Sequence, residues 1–285
     1  MKGPRLVLPS DESELPQRDG RRALETPLWV VGTLDGLAAP TISIVGSRAP
    51  SDLGRRLAFA LGRDLARAGV CVISGLALGI DGAAHAGALD GSGATIGVLG
   101  GGHRRFFPRS NLGLAKRIVE NGGAVVSPFA PDDDARPHQF LQRNAIVAGL
   151  GDAVVIVEAA GRSGALNTAS HAANLGIPVL AFPGDVDRPK VAGCLALIRD
   201  GATLVRGVDD VLEAIELASA PHQLVAPEND SDARALLEAL AGGELGFDTL
   251  ASRLGRNPGR VAALLVELEM RGLIEARSGA RYAKR

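Results

Sequence analysis

Aromatic side chains are scarce in this 285-residue chain, which has one Trp, one Tyr and seven Phe. That excludes an extended platform of stacked bases and leaves Phe106, Phe107, Phe129 and Phe140 as the few candidates for stacking. Cysteine is scarcer still: Cys71 and Cys194 each lie in or beside an apolar stretch and read as reduced packing residues of a cytoplasmic protein. No apolar run approaches the ~20 residues that span a bilayer, and no apolar signal core follows Met1-Lys2, so a soluble protein without a membrane partner is expected. Neither charge is in excess, since 31 Lys and Arg face 32 Asp and Glu. A neutral chain argues against indiscriminate polyanion binding, so any basic site must be local.

Motifs of catalysis are missing too. There is no Walker A sequence, no His-Glu-x-x-His, no Gly-x-Ser-x-Gly and no Cys-x-x-Cys. His85, His103, His138, His171 and His222 are scattered without metal-ligand spacing, and His85 reads as a hydrogen-bonding group of a helix or pocket. Asp132-Asp133-Asp134 reads as a solvated loop. Asp81 and Glu158 are the carboxylates placed near the candidate groove, and two loose carboxylates define no reaction. No catalytic residue, metal or cofactor is therefore expected.

What the chain does contain is alternation. Residues 1–40 read as an irregular extension in which Leu28 to Val31 adds an edge strand. Residues 41–218 alternate apolar runs with helical patterns, with strands expected at 41–45, 70–73, 94–99, 124–127, 153–157, 179–182 and 202–205. Leu57, Leu61 and Leu65 repeat at helical spacing after Pro50-Ser51. The fold class this predicts is α/β, an extended Rossmann-like, doubly wound parallel sheet. Residues 219–231 read as a linker, and 232–285 as a small separate domain.

The strand exits carry the chemistry. Val45 runs into Gly46-Ser47-Arg48, Ile73 into Ser74-Gly75-Leu76-Ala77-Leu78-Gly79-Ile80-Asp81, and Leu99 into Gly100-Gly101-Gly102 followed by Arg104, Arg105 and Arg109. Arg143-Asn144 precedes the run 153–157, after which come Ser163-Gly164 and Thr168. Right-handed crossovers in a parallel sheet bring all such exits to one edge. Arg48, Arg104, Arg105, Arg109, Arg136, Arg143 and Arg162 thus put seven guanidinium groups on loops near that edge. The Ser163-Gly164 turn suits a phosphate at a helix start, with an arginine closing over the same anion, although an ordinary capped βα turn reads the same way.

After the linker the pattern becomes short and helical. Leu236, Leu237 and Leu240 form one apolar stripe, Phe247, Leu250, Ala251 and Leu254 a second, and Val261, Leu264, Leu265 and Leu268 a third. Asn257-Pro258 opens the third helix, and residues 272–283 suggest a two-stranded wing around Ser278-Gly279. Three helices and a wing make a winged helix-turn-helix. Residues 228–285 hold nine acids and nine Lys and Arg, so protein contact or a structural role is favoured over duplex reading. Arg256, Arg260, Arg277 and Arg281 are the residues that would make it a duplex reader.

Taken together, residues 44–51, 74–85, Val98-Leu99-Gly100 with Phe107-Pro108 and Asn111, Arg143-Asn144 through Ser163-Gly164, and Gly193-Cys194 with residues 198–202 resemble the DNA processing protein A family (DprA, also called Smf). The resemblance covers roughly residues 28–217, and its motifs are specific as a set. It implies a non-enzymatic protein that binds single-stranded DNA, protects it and helps load the RecA recombinase, notably in natural transformation, and that commonly forms a homodimer. Carried over, Gly46, Ser47 and Arg48 contact phosphate, Arg109 takes a basic position, Phe140 lies against bases, and Arg143 with Ser163-Gly164 completes the pocket. The chain departs from the family pattern at Ala145, where an arginine is usual, at Pro137, and at Arg188-Pro189-Lys190-Val191.

Two other classes compete. A nucleotide-binding enzyme resembling nucleoside-monophosphate phosphoribohydrolases shares the architecture, but the segment Glu158 to Thr168 lacks paired glycines and a terminal acid. A ligand-sensing transcription regulator would need a basic winged helix. The mechanism expected is electrostatic: N–H groups at Ser47-Arg48, Gly75 to Ile80 and Ser163-Gly164 meet successive phosphates, arginines neutralise them, and Phe140 stacks on a base.

Overall fold

The computed structural model describes residues 3–9, 11, 15, 26–219, 231–270, 273–277 and 281–284. Arg21-Arg22, nearly all of the expected linker and the Ser278-Gly279 turn lie outside the described residues. The chain divides into two compact units, Met1–Ser219 and Ala220–Arg285.

The first unit begins with strands β1 (Arg5–Val7), β2 (Leu28–Gly32) and β3 (Thr41–Val45). There follow α1 (Asp52–Arg67), β4 (Cys71–Ser74), α2 (Ile80–Asp90), β5 (Thr95–Val98), α3 (Leu112–Glu120), β6 (Ala124–Ser127), α4 (Pro137–Leu150) and β7 (Ala153–Ile156). It closes with α5 (Gly164–Asn174), β8 (Val179–Ala181), α6 (Ala192–Arg199), β9 (Thr203–Leu204) and α7 (Val208–Ser219). The nine strands form one sheet in the order β1-β2-β6-β5-β4-β3-β7-β8-β9.

Strands β3 to β9 pair in parallel, whereas β2 runs antiparallel to β6 and β1 antiparallel to β2. The sheet is therefore mostly parallel, and Leu28–Gly32 is its second strand, covered by a β1 that the sequence pattern did not predict. Three residues are too few to show a period-2 pattern, and β1 exists through its pairing with the distant Leu28–Val30 segment.

Because helices cover both faces, the central strands read as continuous apolar runs. Ile42, Ile44, Val72 and Val155 face α1, α2 and α7 through Leu61, Leu65, Ala84 and Val211. Ile73, Val154 and Ile156 face the opposite layer, with Ile146 and Val147 of α4, Ala165 and Ala169 of α5 and Cys194 of α6. Both cysteines are buried and neither forms a disulfide, and burial pushes the Cys194 thiol up to about 11. Buried Thr41 and Ser43 donate from their hydroxyls to the Leu150 and Val147 carbonyls at 2.8 and 2.6 Å, which ties the end of α4 to β3.

The order of the strands places the site. From β3 the chain steps through β4 and β5 to β6 on one side, then returns to lay β7 on the other side of β3. The helices that leave β3 and β7 therefore lie on opposite faces, and a crevice opens between their first turns.

In the second unit, α8 (Ser231–Ala239), α9 (Phe247–Leu254) and α10 (Pro258–Met270) enclose a core of Leu236, Leu240, Leu250, Val261, Leu264, Leu265 and Leu268. These are the apolar stripes of the sequence. The wing is three-stranded: β10 (Leu245–Gly246) joins β12 (Arg281–Lys284), which pairs with β11 (Ile274–Arg277).

Candidate nucleic-acid interface

A cavity of about 460 Å³ lies beyond the ends of the paired strands β3 and β7, lined by Gly46, Ser47, Arg48, Ala77, Asp81, Arg143, Asn144, Arg162, Ser163, Gly164 and Thr168, among others. The loop after β3 is held rigidly. Ser47 N–H donates to the Glu158 carbonyl at 2.7 Å, and the Ser47 carbonyl accepts from Ile80 N–H at 3.1 Å. Gly79, at φ +82°, lies against this loop, where a Cβ would approach the Ser47 carbonyl oxygen to 2.3 Å. Ser51 caps α1 by accepting from Gly54 N–H at 3.0 Å, and donates its own hydroxyl proton to Glu158 at 2.6 Å. Glu158 therefore serves the start of α1 and is not among the residues that line the cavity.

Arg143 forms the floor. It sits in the second turn of α4, not on a loop, and is 3% exposed. Its guanidinium crosses the backbone of Gly75, leaving no room there for a side chain. Its Nε has no hydrogen-bond partner, and no ion pair holds the group among the described residues. Burial pushes its pKa down to about 10, opposed by the attraction of Asp81. Asp81 is itself 5% exposed and accepts from Gly75 N–H at 3.1 Å and Ala77 N–H at 3.4 Å. Burial holds its carboxyl above the usual range, against the pull of Arg143 and those two N–H groups. A buried cation this poorly compensated is costly unless an anion joins it.

The α5 start supplies further donors. Ser163 occupies the N-cap position in an extended conformation, yet its hydroxyl caps nothing, and its Oγ is buried without a partner. Leu166 N–H reaches the Ser163 carbonyl at 3.2 Å, whereas among the described residues the N–H groups of Gly164 and Ala165 donate to nothing. Asn144 positions this turn from α4, donating to the Gly164 carbonyl at 3.2 Å and to Asn167 at 3.1 Å. One of the three expected N–H cradles is thus open. The other two are partly consumed: Ser47, Gly75, Ala77 and Ile80 spend their N–H groups on Glu158, Asp81 and Ser47, whereas among the described residues those of Arg48, Leu78 and Gly79 donate to nothing.

An aromatic step leads out of the cavity. The exposed Arg48 guanidinium lies 5.3 Å from the Phe140 ring centroid, and Phe140 meets Phe107 edge-on at 5.9 Å. Gly100 makes room for this stack, since a Cβ there would approach Phe140 to 2.6 Å. Phe107, one of the four stacking candidates of the sequence, is 55% exposed and extends this step outward from Phe140. Phe106 packs into a small core with Leu76 and Leu99.

Other expected residues fall elsewhere. Leu76 adopts φ +53°, which turns its side chain fully into that core, so it cannot touch a ligand; its carbonyl accepts from Asn111 at 2.9 Å. Thr168 is 1% exposed and contributes only to the cavity wall. Arg104 and Arg105 do not line the cavity and face Asp132 and Asp134 at 2.7 and 3.7 Å, so the acidic loop is exposed but paired. Arg109 is exposed beside Pro108 outside the cavity, and Arg136 precedes α4, its N–H donating to Gln139 at 2.6 Å. Among the departures, Pro137 is the first residue of α4, where its missing N–H costs nothing. Ala145 is half-buried, and Lys190 donates to the Ala49 carbonyl at 2.8 Å, which brings a cation next to the Arg48 loop.

In the second unit, Arg256 and Arg260 face Asp232 at 2.9 and 3.9 Å, Arg281 faces Glu244 at 3.0 Å, and Arg277 pairs with Glu275 and Glu244. The four arginines that would read a duplex are thus compensated within their own unit.

Among the described residues no cluster of three His, Cys, Asp or Glu could hold a metal, and no helix is long and apolar enough to cross a membrane. The DNA recombination-mediator protein A family model matches residues 11–216, and the DprA winged helix domain model matches residues 220–280. The Escherichia coli protein Smf is 40% identical over 88% of this chain and 70% of its own. The Streptococcus pneumoniae DNA processing protein A structure is 39% identical, with a TM-score of 0.62 over 66% of this chain and 65% of that one. A Helicobacter pylori DNA processing protein A, solved for its single-stranded DNA binding mode, is 26% identical with a TM-score of 0.63, covering 70% of this chain and 91% of that one.

Proposed function

Because the chain belongs to the DNA recombination-mediator protein A family, we propose that it binds single-stranded DNA at the strand-exit edge of its Rossmann-like unit and delivers it to the RecA recombinase. The observation that carries this reading is Arg143, a cation only 3% exposed at the floor of a cavity whose other walls carry Arg48, Arg162 and the open α5 start. A polyanion with separable bases matches that wall, since phosphates neutralise the guanidinium groups while Phe140 and Phe107 accept a base. The Helicobacter pylori relative's single-strand binding supports the same assignment.

The protein acts in the cytoplasm by holding and protecting the strand, without catalysis, and as a homodimer. The winged-helix domain, 232–285, joined through 219–231, makes a protein contact or serves a structural role and does not read duplex, a view supported by its paired arginines. The test is fluorescence anisotropy of a labelled oligonucleotide, single-stranded and duplex, at two salt concentrations. A preference for the single strand with a steep salt slope is expected. Duplex preference would move the DNA site to the winged helix, and binding to neither would end the reading. RecA filament assembly on strands covered by a single-strand-binding protein, with and without this protein, tests the delivery step.

A further inference from the structure

We propose that the cavity at the α5 start takes a phosphate monoester carrying one nucleoside, so that the protein grips the phosphorylated terminal nucleotide of a strand, or a free nucleoside monophosphate, more tightly than an internal phosphodiester. The DNA arm of this inference rests on the single-strand reading above; the nucleotide arm does not.

Three observations converge. The unpartnered Nε of Arg143 and the unpartnered Oγ of Ser163 are both buried, and both residues line the same cavity as the open N–H groups of Gly164 and Ala165. Donors on a guanidinium, a hydroxyl and a helix start thus border one cavity, a combination suited to an anion with several free oxygens. The charge also selects. The charged side chains lining the cavity are Arg48, Arg143 and Arg162 against Asp81, an excess of two positive charges. A monoester carries about −1.5 to −2 at neutral pH, and a diester carries only one charge. Finally, Arg143 is 3% exposed, so a phosphate that reaches it is deep in the fold. A diester would have to lead two nucleosides out from that depth, a monoester only one, and about 460 Å³ accommodates a single nucleotide.

The test is competition by unlabelled oligodeoxythymidines against an internally labelled strand, the competitors carrying a 5′-phosphate, a 3′-phosphate or neither. Alongside it, the intact protein is titrated calorimetrically with thymidine monophosphate and with thymidine. A phosphorylated end is expected to compete about tenfold better, the effect of one charge-assisted contact, and the monophosphate is expected to bind where the nucleoside does not. Preference for a strand end without monophosphate binding assigns the site to strand termini, and monophosphate binding alone assigns it to free nucleotides. Equal competition by all three strands, with no difference between monophosphate and nucleoside, overturns the proposal while leaving single-strand binding intact. If no strand binds, the single-strand reading falls and the nucleotide titration decides this one.

Two variants localise the effect. Ser163→Ala deletes the unpartnered hydroxyl. Gly164→Pro deletes an open N–H at the first helical position, where proline is favoured and no atom lies within 4 Å of the added Cβ. Each is expected to reduce the preference for phosphorylated ends several-fold, and an undiminished preference in both would place the monoester elsewhere.

Discussion

The Arg143 guanidinium occupies the space in which Gly75 would carry a side chain, with Nη1 1.5 Å from where that Cβ would sit. Gly75→Ala therefore cannot coexist with the observed Arg143 position. We expect it to weaken single-strand binding nearly as much as Arg143→Ala, and to lower stability by about 1–3 kcal/mol, as overpacking typically does. Anisotropy and thermal melting check both. Full affinity in Gly75→Ala would mean that the guanidinium does not meet the DNA.

Arg48 and Arg143 differ in exposure but border one cavity. Replacing either by alanine should lower affinity and flatten the dependence of log K on log salt, by about 0.7 for each phosphate of a single strand that is no longer neutralised. Titrations at several salt concentrations measure the slope, and an unchanged slope in both variants excludes this cavity as the strand's path.

Phe107 and Phe140 should separate affinity from stability. Phe107 is 55% exposed, so Phe107→Ala should change stability by no more than about 0.5 kcal/mol while costing about 1–3 kcal/mol of binding if it stacks on a base. Phe140→Ala should lose both, because Phe140 also packs at Gly100 and under Arg48. Melting and binding on the same preparations would distinguish them.

Arg104 is tied to Asp132 at 2.7 Å on the surface. Such pairs contribute about 0–1 kcal/mol, so Arg104→Ala should leave both stability and salt slope nearly unchanged. Asp132→Ala should free the guanidinium and steepen the slope. A large loss of affinity in Arg104→Ala would show that the pair opens to bind DNA.

His85 predicts acid sensitivity. Burial, the largest effect, lowers its pKa to about 3, opposed by the Ser74 carbonyl. Thr95 spends its hydroxyl proton on the Val72 carbonyl at 2.6 Å, so His85 Nδ1 must donate to Thr95 Oγ1, at 2.7 Å. The folded state holds this ring neutral, and the unfolded chain takes up the proton from about pH 6.5 downward. Stability from this group is therefore complete above about pH 6.5 and falls as pH drops toward 3, by at most about 1.4 kcal/mol per pH unit. Asp81, raised by burial, acts in the opposite sense, contributing stability at low pH that is lost as pH rises through its folded value. His85→Gln should flatten the fall in melting temperature between pH 6.5 and 4, and an unaltered profile would rule the histidine out.

Much of this was legible in the linear chain because it is written in local pattern. The runs at 41–45, 124–127 and 153–157 announce buried parallel strands, and the 236, 250 and 264 stripes announce a three-helix core. Ser47, Arg48, Arg143 and Ser163 could be brought together from sequence because right-handed crossovers leave the strand exits no other edge. Three features were not legible. Strand β1 is too short to have a period and depends on a partner strand distant in sequence. Leu76 lies inside a glycine-rich loop, yet a positive φ turns it into the core. Asp132-Asp133-Asp134 is a plain solvated run in sequence, and only folding sets it opposite Arg104 and Arg105.

The sequence by itself determined the architecture and the edge at which the candidate site lies, because hydrophobic period and glycine placement act over a few residues. Only the tertiary structure decided which donors remain available there. Ser47, Gly75, Ala77 and Ile80 have N–H groups that look as open as those of Gly164 and Ala165, but the first four are spent on Glu158, Asp81 and each other's loops. Hydrogen-bond accounting is settled by groups distant in sequence, and so is the desolvation that leaves Arg143 a buried cation with few partners.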